Sequence, residues 1–222
     1  MKTKEYPEHS LRVVDVGCGN GYTLSVLKNI FPQHTYWGIE KNDALRQIAA
    51  EQLTPLSISV EKGDILEPLC DTFGKYDIVI TQRVVINILD KEDQKKAIKN
   101  IKELVKTNGI LIMMECFESG LNNLNSARNE FDFPPIAPSY HNLYLTEELV
   151  NNELSEFKLI EDDLPPYNFL STHYYVTRVL HDLALQGKPF VRNSSFVTFL
   201  SSAIPGNIGD YSPIKLYISK IA

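Results

Sequence analysis

Apolar residues recur along this chain in two rhythms, and the switch between them lays out its first half. Residues 11–16 form a short apolar run that ends in a glycine cluster, which predicts a buried strand. Tyr22, Leu24, Val26, Leu27 and Ile30 then fall at helical spacing, and the stripe stops before Pro32. Residues 35–39 predict a second strand. Ala44, Leu45, Ile48, Ala49 and Leu53 predict a second helix, ended before Pro55. Further strands are expected at 57–61 and 76–81. Asp90 is placed to cap a long helix whose buried stripe is Ile98, Ile101, Leu104 and Val105, with Asn108-Gly109 as its stop. Residues 110–115 predict a fifth strand. Alternation of this kind predicts an α/β fold, a parallel sheet with helices on both faces.

The second half has a different pattern. Strands are expected at 157–161 and 214–219, and two long stretches, 117–145 and 164–212, precede them. Connections of this length in a compact domain are usually functional. Asn122, Asn123, Asn125, Pro134, Pro135 and Pro138 mark the first as a lid-like connection with room for one short helix. In the second, Val176, Val179, Leu180 and Leu183 share one side of a helix expected over 173–186, closed by Gly187 and Pro189. The length suits one domain, 1–222, in which 1–116 is the ligand-binding half and the two stretches are insertions.

Composition narrows the classes. Apolar residues make up 43% of the chain, ordinary for a globular core, and no run of about 18 apolar residues is present to span a membrane. Residues 1–10 are polar, so no secretory signal is expected. Cys18, Cys70 and Cys116 are too few and too scattered for a disulfide framework or a zinc site, which makes a reducing cytoplasm the expected location. The net charge of −6 argues against a nucleic-acid partner, and the lysines over 91–106 alternate with acids as on a solvated helix face. A small-molecule partner is expected.

The densest chemical signal is Val13-Val14-Asp15-Val16-Gly17-Cys18-Gly19-Asn20-Gly21. Glycines let the backbone turn tightly and approach a ligand without Cβ clashes, and the helix that follows aims its N-terminal amides at that ligand. A dinucleotide site carries G-x-G-x-x-G; Gly17 and Gly19 fit it, but Tyr22 stands at the third glycine position. The spacing D-x-G-x-G-x-G suits S-adenosylmethionine (SAM) better. The loop of Gly17, Cys18, Gly19 and Asn20 would hold the methionyl carboxylate, with Asp15 near the ammonium group.

Later acids strengthen that reading. Glu40 ends the second strand, where a carboxylate can accept both ribose hydroxyls, with Lys41 beside it. Asp64 follows the third strand and can accept from the adenine amino group while Ile65 packs on the ring. Gln82 and Arg83 follow the fourth and are expected to reach the sulfonium region. Together these positions line the crevice where open α/β sheets bind ligands. Val13 to Gly21, Glu40 and Gly63-Asp64 resemble the motifs of class I SAM-dependent methyltransferases, over about residues 11–115. The resemblance implies a Rossmann-like fold with a seven-stranded, mostly parallel sheet whose last strand, 214–219, is antiparallel. It implies lid insertions after strands 5 and 6, SAM as cofactor and S-adenosylhomocysteine (SAH) as product.

Methyl transfer is an in-line displacement, so the protein must align the acceptor and, for an alcohol, remove its proton. No metal is intrinsically needed. His173 and His181 stand too far apart on one helix to share an ion, and Asp162-Asp163 reads as a solvated turn. His141, within Ser139-Tyr140-His141-Asn142-Leu143-Tyr144, is the first candidate general base; its alternative role is to anchor the lid. His173 is the second. Tyr174, Tyr175 and Arg178 are candidates for binding the acceptor, Arg178 for a phosphate or carboxylate. The alternative is a helix packing its aromatics on the sheet.

A narrower resemblance runs through Gln82 to Asn87, Gly120-Leu121 through Arg128, Pro134-Pro135-Ile136, His141 to Tyr144, Ser171 to Tyr175 and Gly209 to Pro213. These segments resemble a group of bacterial methyltransferases found with surface-polysaccharide and sugar-modification genes. That resemblance implies an acceptor pocket drawn from Asn87, Asn122, Asn125, Arg128, Tyr140, Asn142 and Tyr144 beside His141. Leu164-Pro165-Pro166-Tyr167 is similar to the box of amino-methylating DNA enzymes, but it does not follow the fourth strand and reads as a proline turn. The expected activity is O-methylation of a sugar or a phosphorylated or phosphoramidate-type capsule precursor. A SAM-binding partner subunit without chemistry and an NAD-dependent enzyme are the alternatives. The aromatic second insertion can either cover the site or form a homodimer contact.

Overall fold

A computed structural model describes residues 10–160, 166–189, 191 and 193–221. The expected turn at Asp162-Asp163, the end of the strand expected at 157–161 and the start of Leu164-Pro165-Pro166-Tyr167 lie outside the described residues. In chain order the strands are β1 (Arg12–Val16), β2 (Thr35–Glu40), β3 (Ser59–Lys62), β4 (Tyr76–Gln82), β5 (Val105–Cys116), β6 (Phe157–Leu159) and β7 (Ile214–Ile221). They form one sheet in the order β3-β2-β1-β4-β5-β7-β6. Pairs among β1 to β5 are parallel, and β7 is antiparallel to both β5 and β6.

The helices are α1 (Tyr22–Ile30), α2 (Asp43–Leu53), α3 (Cys70–Phe73), α4 (Lys91–Glu103), α5 (Glu118–Asn129), α6 (Glu147–Glu153), α7 (Ser171–Tyr175), α8 (His181–Leu185) and α9 (Ser195–Ala203). Side chains alternate across a strand, so β1 feeds two cores. Val14 and Val16 pack with Ile98 and Ile101 of α4, whereas Val13 packs with Leu24 of α1 and Leu53 of α2. Asn42 caps α2 through the amides of Ala44 and Leu45, and Asp90 caps α4 through those of Glu92 and Asp93.

Several expectations need correction. The long helix stops at Glu103, not at Asn108-Gly109, and Val105 already belongs to β5. Tyr76 pairs with Val105 and Ile78 with Ile110, so β5 bulges between them, with Asn108 in the left-handed region at φ 63°. The turn residues that resemble a helix stop therefore shape a bulge. The third strand starts at Ser59, because Thr54–Leu56 is a 3-10 turn and Ser57 turns the chain at φ 57°.

The insertions hold more helix than their composition indicates. The first carries α5, of 12 residues, and α6 follows just after it at Glu147. In the second, α7 and α8 are joined by a π-helical stretch, Val176–Leu180, and α9 follows. Leu124 and Ala127 of α5 meet Val179 in a small core of their own, flanked by Tyr174, Tyr175 and Tyr211. The two insertions thus pack on one another. Among the described residues no helix is long and apolar enough to cross a membrane.

Candidate active site

The strand order reverses between β1 and β4, and their carboxyl ends part to form the crevice where open α/β sheets take ligands. A cleft of about 640 Å³ opens there, lined by Gly17, Gly19, Ile39 to Asn42, Gly63 to Leu66, and Gln82 to Val84 with Asn87 and Ile88. Gly17 and Cys18 both donate their amides to the Ile39 carbonyl, at 2.7 and 3.1 Å, which folds the glycine loop back over β2. Gly17 sits at φ 73°, and a Cβ there would stand 2.4 Å from the Val84 side chain. Gly19 sits at φ 57°, and a Cβ there would meet nothing within 4 Å. The first glycine is demanded by packing; the second leaves its backbone open for a close approach.

Glu40 holds this loop. Its Oε2 accepts the Gly19 amide and its Oε1 the Asn42 amide, each at 2.8 Å. Beneath it Asp15 is 2% exposed, and its Oδ1 has no hydrogen-bond partner. Burial, with the charge of Glu40 adding, pushes the Asp15 carboxyl up from 3.8 to about 7. The Cys18 side chain turns into the core with Val13 and Leu24, and burial, then Asp15 and Glu40, push its thiol up to about 12. Asn20 is exposed and accepts the Tyr22 amide at 3.2 Å, at the start of α1.

Across the cleft Lys41 reaches Asp64 at 2.7 Å, and the Leu66 amide donates to the same carboxylate at 3.0 Å. Burial alone would raise Asp64, but these partners outweigh it and hold the group below the usual carboxylate range. Ile65 is buried, with its carbonyl held by Asn100 at 2.8 Å. On the opposite wall Gln82 donates to Thr23 at 3.0 Å, and Arg83 takes the left-handed conformation at φ 54° with an exposed side chain. Glu40, Asp64, Gln82, Arg83 and the glycines, dispersed along the sequence, thus meet in one cleft. An unpartnered buried carboxylate oxygen, an open glycine and an acceptor-rich rim fit a ligand that carries an ammonium group and hydroxyls.

A family model described as a methyltransferase domain matches residues 7–162. The chain belongs to the methyltransferase domain family. The domain it forms is of the SAM-dependent methyltransferase kind. The chain is 26% identical over 120 residues to ribosomal protein L11 methyltransferase of Thermosipho melanesiensis, a match that covers 53% of this chain and 43% of that protein. The chain spans about half the length of the curated relatives it matches. Magnesium protoporphyrin IX methyltransferase from Synechocystis PCC 6803, solved with bound SAH, superposes with a TM-score of 0.58 at 14% identity, covering 96% of this chain and 75% of that one. The CurJ carbon methyltransferase gives 0.56 at 17% identity, covering 99% and 50%. At such identities the likeness shows the class I fold and leaves the acceptor open.

The acceptor candidates divide into three groups. Tyr144 donates to the Cys116 thiol; burial pushes the phenol up to about 12 and, with the Glu115 charge, the thiol up to about 11. Tyr174 is raised by burial and by Cys116, against the opposing charges of Arg178 and Arg83. Of these residues Arg83 lines the cleft, and Cys116, Tyr144 and Tyr174 stand outside its lining. At the edge, Asn142 donates to Asn87 at 2.9 Å, and His141 is exposed with its ring edge-on to Tyr140, 5.0 Å between centroids. Tyr140 is 95% exposed.

The third group is engaged in scaffold. Asn125 clamps both backbone groups of Ile136, at 2.8 and 2.9 Å. Arg128 is buried; it donates to Pro134 at 3.0 Å and to the Arg178 carbonyl, and pairs with Asp182 at 2.8 Å. His173 meets Ser201 of α9 at 3.3 Å, and the Tyr175 ring lies tilted against Tyr211, 4.7 Å between centroids. Asn122 lies exposed on α5. None of these lines the cleft. Among the described residues no group of three or more His, Cys, Asp or Glu is arranged to hold a metal ion.

Two buried charges escaped the sequence reading. Lys215, 1% exposed, holds Ser119 and Glu147 at 2.6 Å and Asp210 at 2.8 Å, which ties β7 to both insertions. Glu115 is fully buried at the end of β5, and burial pushes it up to about 7 against the hydrogen bonds it accepts. Its signal was a lone acid closing an apolar strand, which folds only if donors await it.

Proposed function

We propose that the protein methylates an oxygen of a small polar acceptor, a sugar hydroxyl first and a phosphate-bearing or phosphoramidate-type precursor second, in a reducing cytoplasm. The observation that carries this reading is Arg83 in the cleft lining, with Tyr144 and Tyr174 outside that lining and His141 and Asn142 at its edge. Phenols and a guanidinium suit hydroxyls and a phosphate better than an apolar substrate. The net charge of −6 is poor ground for a nucleic acid.

SAM, when bound, supplies the electrophilic methyl group. Asp15 would take its ammonium end, Glu40 its ribose hydroxyls, and Asp64 with Ile65 its adenine, while the amides of Gly17, Cys18 and Gly19, already given to Ile39 and Glu40, leave its carboxylate to other donors. Arg83 orients an anionic part of the acceptor, and Tyr174 and Tyr144 hold its hydroxyls. His141 accepts the proton of the attacking hydroxyl, and the first insertion keeps water out. The test is incubation with methyl-labelled SAM and a panel of sugars, nucleotide-linked sugars and sugar phosphates, with the new linkage located by NMR. An O-methyl product supports the proposal. Transfer to nitrogen or carbon only, or to none of the panel, overturns it.

A further inference from the structure

We propose that Glu115 is a positioning residue for the cofactor cleft: from inside the sheet its carboxylate sets the backbone of residues 82–88, which form one wall. Those residues contribute Gln82, Arg83, Val84, Asn87 and Ile88 to the lining. Glu115 does not touch the cleft. It lies on β5, with no exposed surface, and reaches sideways under the neighbouring wall.

Its hydrogen bonds are all with the end of β4 and the turn that follows. Oε1 accepts the amides of Val84 at 2.8 Å and Val85 at 3.1 Å and the hydroxyl of Thr81 at 3.4 Å; Oε2 accepts the amide of Ile86 at 3.4 Å. These three amides open the 3-10 turn Val85–Asn87, where a helical turn has no internal acceptors to offer. Just before them Arg83 is held in the left-handed region, a conformation that persists for a non-glycine residue only where its surroundings dictate it. The Glu115 carboxylate is one such constraint, and the bond from the Arg83 amide to the Met114 carbonyl at 2.8 Å is another.

The constraint is passed on by contact. The Val84 side chain fills the space where Gly17 lacks a Cβ. A shift of the Val84 backbone therefore moves the floor under the glycine loop as well as the wall that bears Arg83 and Asn87. Both sides of the cleft depend on one acid that carries no ligand itself.

The test uses the full chain and SAH as the probe, by calorimetric titration, with thermal unfolding to show each variant folded at the titration temperature. Glu115→Gln keeps the length and the Oε1 acceptor for Val84, Val85 and Thr81, and turns its NH2 toward the Ile86 amide, from which it cannot accept. Glu115→Asp keeps the charge but is one methylene too short for the three amides. Glu115→Ala removes every acceptor. The expected result is SAH affinity within about threefold of wild type for Gln and at least about tenfold weaker for Asp and Ala, which lose the acceptor that holds the Val84 and Val85 amides of the binding wall. Rescue by Gln and not by Asp is a result that charge or bulk stability alone does not produce. If the Ala variant fails to fold, the comparison of Gln with Asp still decides. The proposal is overturned if Asp binds SAH as tightly as Gln, or if a folded Ala variant binds it within about twofold of wild type.

Discussion

Asn142 donates to Asn87 across 2.9 Å, and this bond fastens the first insertion to the cleft wall one residue from His141. Two further bonds sit below it: Leu143 donates to the Ile86 carbonyl at 2.8 Å, and Gln94 donates to the Leu143 carbonyl at 2.8 Å. The asparagine bond is exposed, whereas Gln94 is fully buried. Asn142→Ala should cost less than about 0.5 kcal/mol, yet raise amide exchange over residues 139–143. Gln94→Ala should cost about 1–3 kcal/mol, because it strands buried carbonyls. Thermal unfolding and hydrogen exchange separate the two.

The glycine loop allows a second contrast. Gly17→Ala places its methyl group against Val84 and should lower the unfolding temperature clearly. Gly19→Ala meets no atom and carries only the left-handed strain of about 1–2 kcal/mol. Its larger effect should be on SAH affinity, because the new methyl group stands where the backbone is open to a ligand. Equal SAH affinity for Gly19→Ala and wild type would remove this loop from the cofactor site.

The raised Asp15 makes a pH prediction. Between 3.8 and about 7 the folded chain keeps a proton that the unfolded chain has released. The contribution of Asp15 is therefore complete below its ordinary pKa and is lost as pH rises through about 7. Glu115, raised to about 7, acts in the same direction. Asp64 and Asp77 act oppositely: their lowered values stabilise above the ordinary carboxylate range, and that part is lost in acid. The ligand-free protein should lose stability between about pH 4 and pH 7, and Asp15→Asn should flatten part of that fall. An unchanged slope in the variant would show Asp15 ionised throughout.

For His141, the base assignment separates chemistry from binding. His141→Ala should lower turnover by roughly a hundredfold or more while SAH affinity changes little. Single-turnover transfer to an identified acceptor, set beside an SAH titration, reads both. Unchanged turnover leaves His141 as a lid residue.

Arg128 ties the two insertions through Asp182, Pro134 and the Arg178 carbonyl. Arg128→Ala should cost about 3 kcal/mol, since it leaves buried acceptors unpaired. Exchange protection should fall over residues 132–136 and 176–182, while SAH binding, carried by the other half of the chain, should persist. Loss of SAH binding in a folded variant would mean that the insertions also shape the cofactor cleft.

The cofactor half was the more legible part of the sequence. Val13 to Gly21, Glu40 and Asp64 were read as one site because each lies at the end of a strand, and parallel strands bring their ends together. Asn125 and Arg128 were read as pocket residues, and the structure engages both in backbone clamps. Their partners lie up to 54 residues away, and the sequence does not mark such partners. α9 is absent from the sequence expectations although Phe196, Val197 and Leu200 fall at helical spacing, and of its length only Val197 is buried.

By itself the sequence determined the β-α alternation, the cap at Asp90 and the glycine loop, since each is set by neighbours a few residues apart. Only the tertiary structure decided that Asn108-Gly109 bulges a strand, that the insertions pack on each other, and that Glu115 carries the wall of the cleft. Those outcomes depend on which donors and acceptors meet when the sheet closes, and Glu115 meets Val84 across 31 residues of chain. Periodicity tells which face of an element is buried; it does not tell what lies against that face.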